Sequence, residues 1–176
     1  MADAQTAAAR WLVDHRHLLP PSGTALDVAC GRGRNAIWLA TQGLTVLAVD
    51  RDADAVNALN ADAARLGVPV MATVLDLEAG TPVLGSEAFD VIVGVSYLFR
   101  PLFPALIDAL RPGGLLVYET FTRDQALRGK PTNPAFLLSP GELQHLVAPL
   151  EILAAREGEV EGRCLASVIA RKSASG

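Results

Sequence analysis

"LDVACGRGRNAIWLA" (residues 26–40) decides how this chain folds. A short apolar run that suits a buried strand meets a helical pattern, and two glycines make the joint. Gly31 and Gly33 let the main chain turn tightly and approach a ligand with no Cβ in the way. The helix that follows leaves its first N–H groups free. Asp27 sits inside the strand, four residues before Gly31.

Working outward, residues 24–29 read as the first strand and residues 34–42 as a helix that Gly43 stops. "LTVLAVD" (44–50) is the second strand. An alanine-rich helix is predicted over 53–66, with Asp52 as N-cap and Gly67 as its stop. Strands follow at 69–76, 89–96 and 115–121, with a helix over 102–111 before "RPGG". Residues 122–138 carry no period, and so long a loop in a compact domain is usually functional or disordered. "SPGEL" (139–143) restarts a helix with a capping box of Ser139 at N-cap, Pro140 at N1 and Glu142 at N3. "LEILAARE" (150–157) and "CLASVIAR" (164–171) are two last strands. Their link is too short for a parallel crossover, so as neighbours they must run antiparallel. Upstream, residues 3–19 read as an amphipathic helix through Ala8, Trp11, Leu12, His15, Leu18 and Leu19. Alternating strands and helices make an α/β, doubly wound, mostly parallel sheet covered on both faces, with one antiparallel strand. Ligands in such sheets bind at the carboxyl ends of the strands, where strand order reverses.

The whole chain sets bounds on function. Its 176 residues are expected to form a single domain, 1–176, with an N-terminal helix in 1–22, a core in 23–172 and a tail in 173–176. A net charge of −4 argues against a nucleic-acid partner. Cys30 and Cys164 make no disulfide framework and suit a reducing, cytoplasmic setting. Charge is mixed through the first residues, which is not expected of a signal peptide, and "VIVGVSYLF" (91–99) is too short to span a bilayer. The expected partner is a small-molecule substrate, with no nucleic acid and no membrane, in a monomer or homodimer. No metal site is expected: His15 and His17 face different ways on a helix.

The glycine joint alone leaves two cofactor classes open. "GRGRNA" fits a loose dinucleotide fingerprint, and Asp50 at the end of the second strand suits the ribose of NAD or of S-adenosylmethionine. Asp27 favours the second, because a carboxylate there would repel a pyrophosphate and suits an ammonium. Asp76, closing the third strand, is placed to accept the amine of adenine. "LDVACGRG", "VLAVDRD", "VLDLEAG", "FDVIVGVSYLF" and "LRPGGLLVYETF" resemble, in order and spacing, the class I S-adenosylmethionine-dependent methyltransferases. "CGRGRNAIWLATQG" and "NPAFLLSPGEL" further resemble the tellurite-resistance TehB-like group. That group carries a longer segment, with His and Arg, between its last two strands, where this chain has "GEVEG" and a lone Arg163. The resemblance implies a Rossmann-like sheet of seven strands with the last antiparallel, and S-adenosyl-L-methionine as cofactor. It implies that Asp27 and the main chain of Ala29, Cys30, Gly31 and Gly33 hold the methionine part, with Asn35 beside them. Asp50 takes the ribose, Arg51 the adenine edge, Asp76 and Leu77 the adenine ring, and Val95 lies near the sulfonium.

Acceptor contacts are expected from Tyr97, Phe99 and Arg100, from Tyr118 and Glu119, and from Arg123, Arg128 and Lys130 in the unpatterned loop. The bland readings are core packing for the aromatics and solvated loop charge for the cations. Cys30 is read as a main-chain contact rather than a thiolate, and no catalytic base is identified. A soft acceptor such as a thiol or chalcogen anion needs none. The leading expectation is methyl transfer to a small molecule. The alternatives are a NAD-binding reductase and a non-catalytic, cofactor-binding regulatory protein.

Overall fold

The computed structural model describes residues 7–80 and 82–174. Seven strands form one sheet in the order β3-β2-β1-β4-β5-β7-β6. They are β1 (Gly23–Val28), β2 (Leu44–Asp50), β3 (Val70–Val74), β4 (Phe89–Val95), β5 (Leu110–Phe121), β6 (Glu151–Val160) and β7 (Arg163–Arg171). The first five are parallel to one another, and β7 enters antiparallel to both β5 and β6. Strand order reverses between β1 and β4, so their carboxyl ends make the crevice where such sheets bind ligands.

Helices cover both faces. α1 (Arg10–Asp14), α2 (Arg34–Thr41) and α3 (Ala53–Leu66) pack on one, and α4 (Phe103–Ala109) and α5 (Glu142–Leu146) on the other. Alternation along β1 shows why both faces are apolar: Ala25 belongs to the α2 side, and Leu26 and Val28 to the α4 side. α3 has the predicted bounds. Asp52 accepts the N–H groups of Asp54 (2.9 Å) and Ala55 (3.2 Å), and Gly67 ends the helix at φ +66°. Among the described residues no helix is long and apolar enough to cross a membrane.

Several elements differ from the sequence reading, among them β6, which runs on to Val160 and leaves only Glu161 and Gly162 as the last turn. Part of the predicted 3–19 helix lies outside the described residues; the rest breaks at His15, whose Nδ1–H takes the Trp11 carbonyl (2.8 Å) from the helix ladder. β3 ends at Val74, which leaves Asp76 in a turn where it accepts the Glu78 N–H (2.9 Å). β5 begins at Leu110, because that residue still pairs with Phe89 across a register shift. α5 starts at Glu142 with Gly141 as cap at φ +72°. Only the return leg of the capping box forms there, from the Ser139 N–H to the Glu142 carboxylate (2.7 Å).

Gly94 in β4 shows how tightly the α4 face is packed: a Cβ there would lie 2.3 Å from the buried Tyr118 ring. The variant Gly94→Ala is expected to lose about 1–3 kcal/mol of stability through overpacking. Urea unfolding of the two proteins checks this, and equal midpoints would contradict it.

Candidate active site

The carboxyl ends of β1, β2 and β4 open on a cavity of about 350 Å3. Ala29, Asp50 and Ser96 follow or end those strands and line it, as do Arg51, Asp76 and Leu77. Asp50 shapes the entrance. One oxygen accepts the Gly31 N–H (2.7 Å) and the other the Asp52 N–H (2.9 Å), so the glycine turn is tied to the tip of β2. The two glycines have different duties. Gly31 stands at φ +53° with open space where a Cβ would project, which leaves bare main chain for a ligand. Gly33 is required by packing: its φ is +78° and a Cβ would meet Leu59 of α3 at 2.3 Å. Reading both glycines as ligand approach is corrected for Gly33. Ala29 (φ +51°) and Ser96 (φ +57°) also hold left-handed backbone, and such strain gathers at functional sites.

Asp27 does not line the cavity with Asp50 and Asp76. It shares the parity of Ala25, so it points to the α2 face and lies beneath the glycine turn, 1% exposed. Its Oδ2 is the one buried side-chain polar atom without a partner among the described residues. Burial pushes its carboxyl from 3.8 to about 7, with the Ala36 N–H and the Arg34 charge opposing and Asp50 adding a little. Burial, helped by Asp27 and Asp50, also pushes the Cys30 thiol up to about 12, which keeps it protonated at neutral pH. Asn35 is occupied within the chain. Its Oδ1 accepts the Ala9 N–H (2.8 Å), while Arg34 donates to the Ala7 carbonyl (3.0 Å). The Arg-Asn pair after the second glycine therefore fastens the N-terminal segment, and Asn35 as a cofactor contact is corrected accordingly. Val95 packs on the α2-side core and does not line the cavity.

Of the acceptor candidates only Tyr97 lines the cavity. Its hydroxyl donates to Glu78 (3.1 Å), and burial and then Glu78 push its phenol up, so it stays protonated. Tyr118 is a core residue: its ring lies 4.9 Å from that of Phe103 and its hydroxyl donates to the Tyr97 carbonyl (2.8 Å). Glu119 is buried and accepts from Ser167 (2.5 Å) and Arg156 (3.1 Å), whose guanidinium lies 4.7 Å from the Trp11 ring centre. Arg123 is exposed and outside the cavity, and Arg128 pairs with Glu159. Arg100 points away from the cavity. It pairs with Glu142 and donates to the carbonyls of Ala135 (3.0 Å) and Leu137 (3.0 Å). Tyr118, Glu119, Arg100 and Arg123 are therefore corrected as direct acceptor contacts.

What the sequence missed lies mainly in the unpatterned loop. Pro131 and Phe136 line the cavity, with Phe121, Thr120, Ser96 and Glu78. The length of that loop was the only signal. It is an ordered loop, in which Leu138 N–H donates to Phe121 (2.9 Å), Arg123 N–H to Leu138 (3.0 Å), and Arg100 latches 135–137. Arg100→Ala should cost about 1–3 kcal/mol through lost charge-assisted bonds and speed proteolysis within 123–138. Limited proteolysis checks this; unchanged cleavage would show that the latch does not hold the loop.

A raised carboxyl pKa costs stability only where the unfolded chain is ionised. The cost is absent below pH 4, grows as pH rises toward 7, and levels at up to about 4 kcal/mol. Asp27→Asn removes the charge and keeps the shape. Its stability relative to the parent is expected to be near zero at pH 4 and to rise by a few kcal/mol, about 2–4, by pH 8. Urea titrations across that range check the sign.

A family profile described as a methyltransferase domain matches residues 25–114. A ribosomal protein L11 methyltransferase from Dechloromonas aromatica is 41% identical over 105 residues, which is 58% of this chain and 33% of that protein. The chain thus spans about a third of the length of that curated relative. Among solved structures, TehB from Haemophilus influenzae superposes with a TM-score of 0.78 at 22% identity, over 94% of this chain and 63% of that one. A TehB-like S-adenosylmethionine-dependent methyltransferase from Corynebacterium glutamicum gives 0.68 at 22% identity, over 92% and 85%. These two likenesses show the fold, while the profile covers just over half of the chain. The chain belongs to the methyltransferase domain family, with the class I fold and S-adenosylmethionine as its cofactor.

Proposed function

We propose that this chain, acting as one cytoplasmic domain, methylates a small molecule whose acceptor atom is a thiol or chalcogen anion. The residues present fit the cofactor. Asp50 retains lone pairs for ribose hydroxyls after accepting its two main-chain bonds. Asp76, Leu77 and Arg51 border the space that suits the adenine ring. The open main chain at Gly31 leaves room for the amino-acid part. The observation that carries this reading is the orphaned Oδ2 of Asp27 beneath that turn: one oxygen of a buried carboxyl is left without a donor from its own chain, and a cation bound from outside would satisfy it.

S-adenosylmethionine, when bound, supplies a methyl carbon on positive sulfur that departs as a neutral thioether. The chain's own residues align and exclude water. Leu75, Leu77, Leu98, Phe121 and Phe136 give the cavity an apolar lining. Cys30 and Tyr97 stay protonated and so serve as neither nucleophile nor base, which suits an acceptor that ionises unaided. The cavity volume suits a small ligand.

Calorimetry with S-adenosylhomocysteine is expected to show saturable binding, with Asp50→Ala weakening it by about tenfold or more. Burial raises the free Asp27 carboxyl to about 7, and an ammonium nearby favours its ionised form. Binding near neutral pH should therefore release protons, read from buffers of different ionisation heat, and affinity should rise from pH 6 to 8. Asp27→Asn should abolish the release; a release that persists would place the titrating group elsewhere. Turnover on thiols, selenite, tellurite, phenols and ribosomal protein L11 tests the acceptor. Methylation of L11 alone would replace the small-molecule reading, and binding without turnover on the whole panel would mark a regulatory protein.

A further inference from the structure

The cavity opens into a shallow, solvent-facing annex. The two share Ser96, Phe121, Pro131 and Phe136, and the annex adds Lys130, Thr132 and Asn133. Charge divides sharply between the lobes. Asp50, Asp76 and Glu78 outnumber Arg51 in the main cavity, whereas among the described residues no carboxylate and no imidazole lines the annex. Its one charged group is the Lys130 ammonium, which makes no ion pair among the described residues. Its apolar surface includes Phe136, a large ring left 48% exposed.

The annex wall is built rather than loose. The buried Gln125 accepts the Cys164 N–H (2.9 Å) and donates to the Lys130 carbonyl (3.1 Å), which fixes the main chain that carries the ammonium. Asn133 caps the Ala135 N–H (3.0 Å), and Arg100 holds the carbonyls on both sides of Phe136. A preformed pocket of this kind loses little to ordering when a ligand enters.

We infer that the annex between Phe121, Pro131 and Phe136, with Lys130 at its rim, is the acceptor subsite, and that it takes an apolar or aromatic molecule bearing an anionic group. This rests on the methyltransferase reading above and narrows its substrate class. The acidic lobe suits a ligand that is cationic and rich in hydroxyls. The adjoining lobe repels no anion, offers one cation, and presents rings to a flat or apolar body. With no base in its lining, it suits an acceptor that arrives ionised.

The test uses three thiophenols that differ in the group para to sulfur: 4-mercaptobenzoate (carboxylate), thiophenol (hydrogen) and 4-(aminomethyl)thiophenol (ammonium). Each is titrated calorimetrically into the full chain with and without S-adenosylhomocysteine. The probe with the para carboxylate is expected to bind about tenfold more tightly than the one with the para ammonium. Lys130→Glu should cancel or reverse that order, and Phe136→Ala should weaken all three. Equal binding of the three probes in both the parent and Lys130→Glu, or no effect of Phe136→Ala, would overturn the assignment. Both substitutions fall on exposed side chains, so the variants keep the fold. Failure of S-adenosylhomocysteine to bind would instead sink the cofactor reading, while the ranking of the probes in its absence still decides the annex.

Discussion

The two bonds from the Asp50 carboxylate to the Gly31 and Asp52 N–H groups hold the site together. Parallel strands end side by side, and nothing in a parallel ladder fixes the loops beyond them. One acidic side chain at the tip of β2 joins the turn after β1 to the start of α3. The cavity, the bare main chain at Gly31 and the placement of α2 follow from that junction. Charge-assisted bonds to main-chain N–H groups are among the stronger ones available to a fold, and they aim the peptide as well as stabilise it.

The site is assembled from two layers of differing origin. The acidic half comes from strand ends and the turns directly after them. The annex side, with Pro131 and Phe136, comes from the loop after β5, held in place by Arg100 beyond β4 and by the bond from β7 to Gln125. A cofactor common to a whole family can be served by the first half. An acceptor that differs among members calls for a wall that can vary, and the second half is made of loop.

This division also explains what was legible in the sequence. The alternation of strands and helices, α3 with its caps, and Asp50 are written in local patterns: periodicity, an N-cap, an acidic residue at a strand end. Asp76 reads the same way although it lies in the turn past β3, and Leu77 is reached only through the family resemblance. Phe136, Pro131 and Ser96 carry no such pattern, because they reach the cavity only through long-range contacts. Arg100 misled for a related reason. Its position just past β4 pointed to the cavity, but the carboxylate of Glu142, brought close by tertiary folding, drew the guanidinium away. Asp27 was recognised as special, while its burial beneath the turn depends on side-chain parity along β1. Gly33 looked like its neighbour Gly31 in sequence, and only the approach of Leu59 from α3 separates them.

The N-terminal segment lies against the last strands of the sheet. Trp11 donates to the Val168 carbonyl (3.2 Å) and stacks under Arg156, and Arg10 pairs with Glu161 (3.0 Å) at the hairpin tip. On the ribosome these early residues emerge long before their partners exist. The Trp11 indole must therefore wait, apolar and uncovered, until β6 and β7 have left the exit tunnel, and the segment closes on the sheet only after that hairpin has emerged.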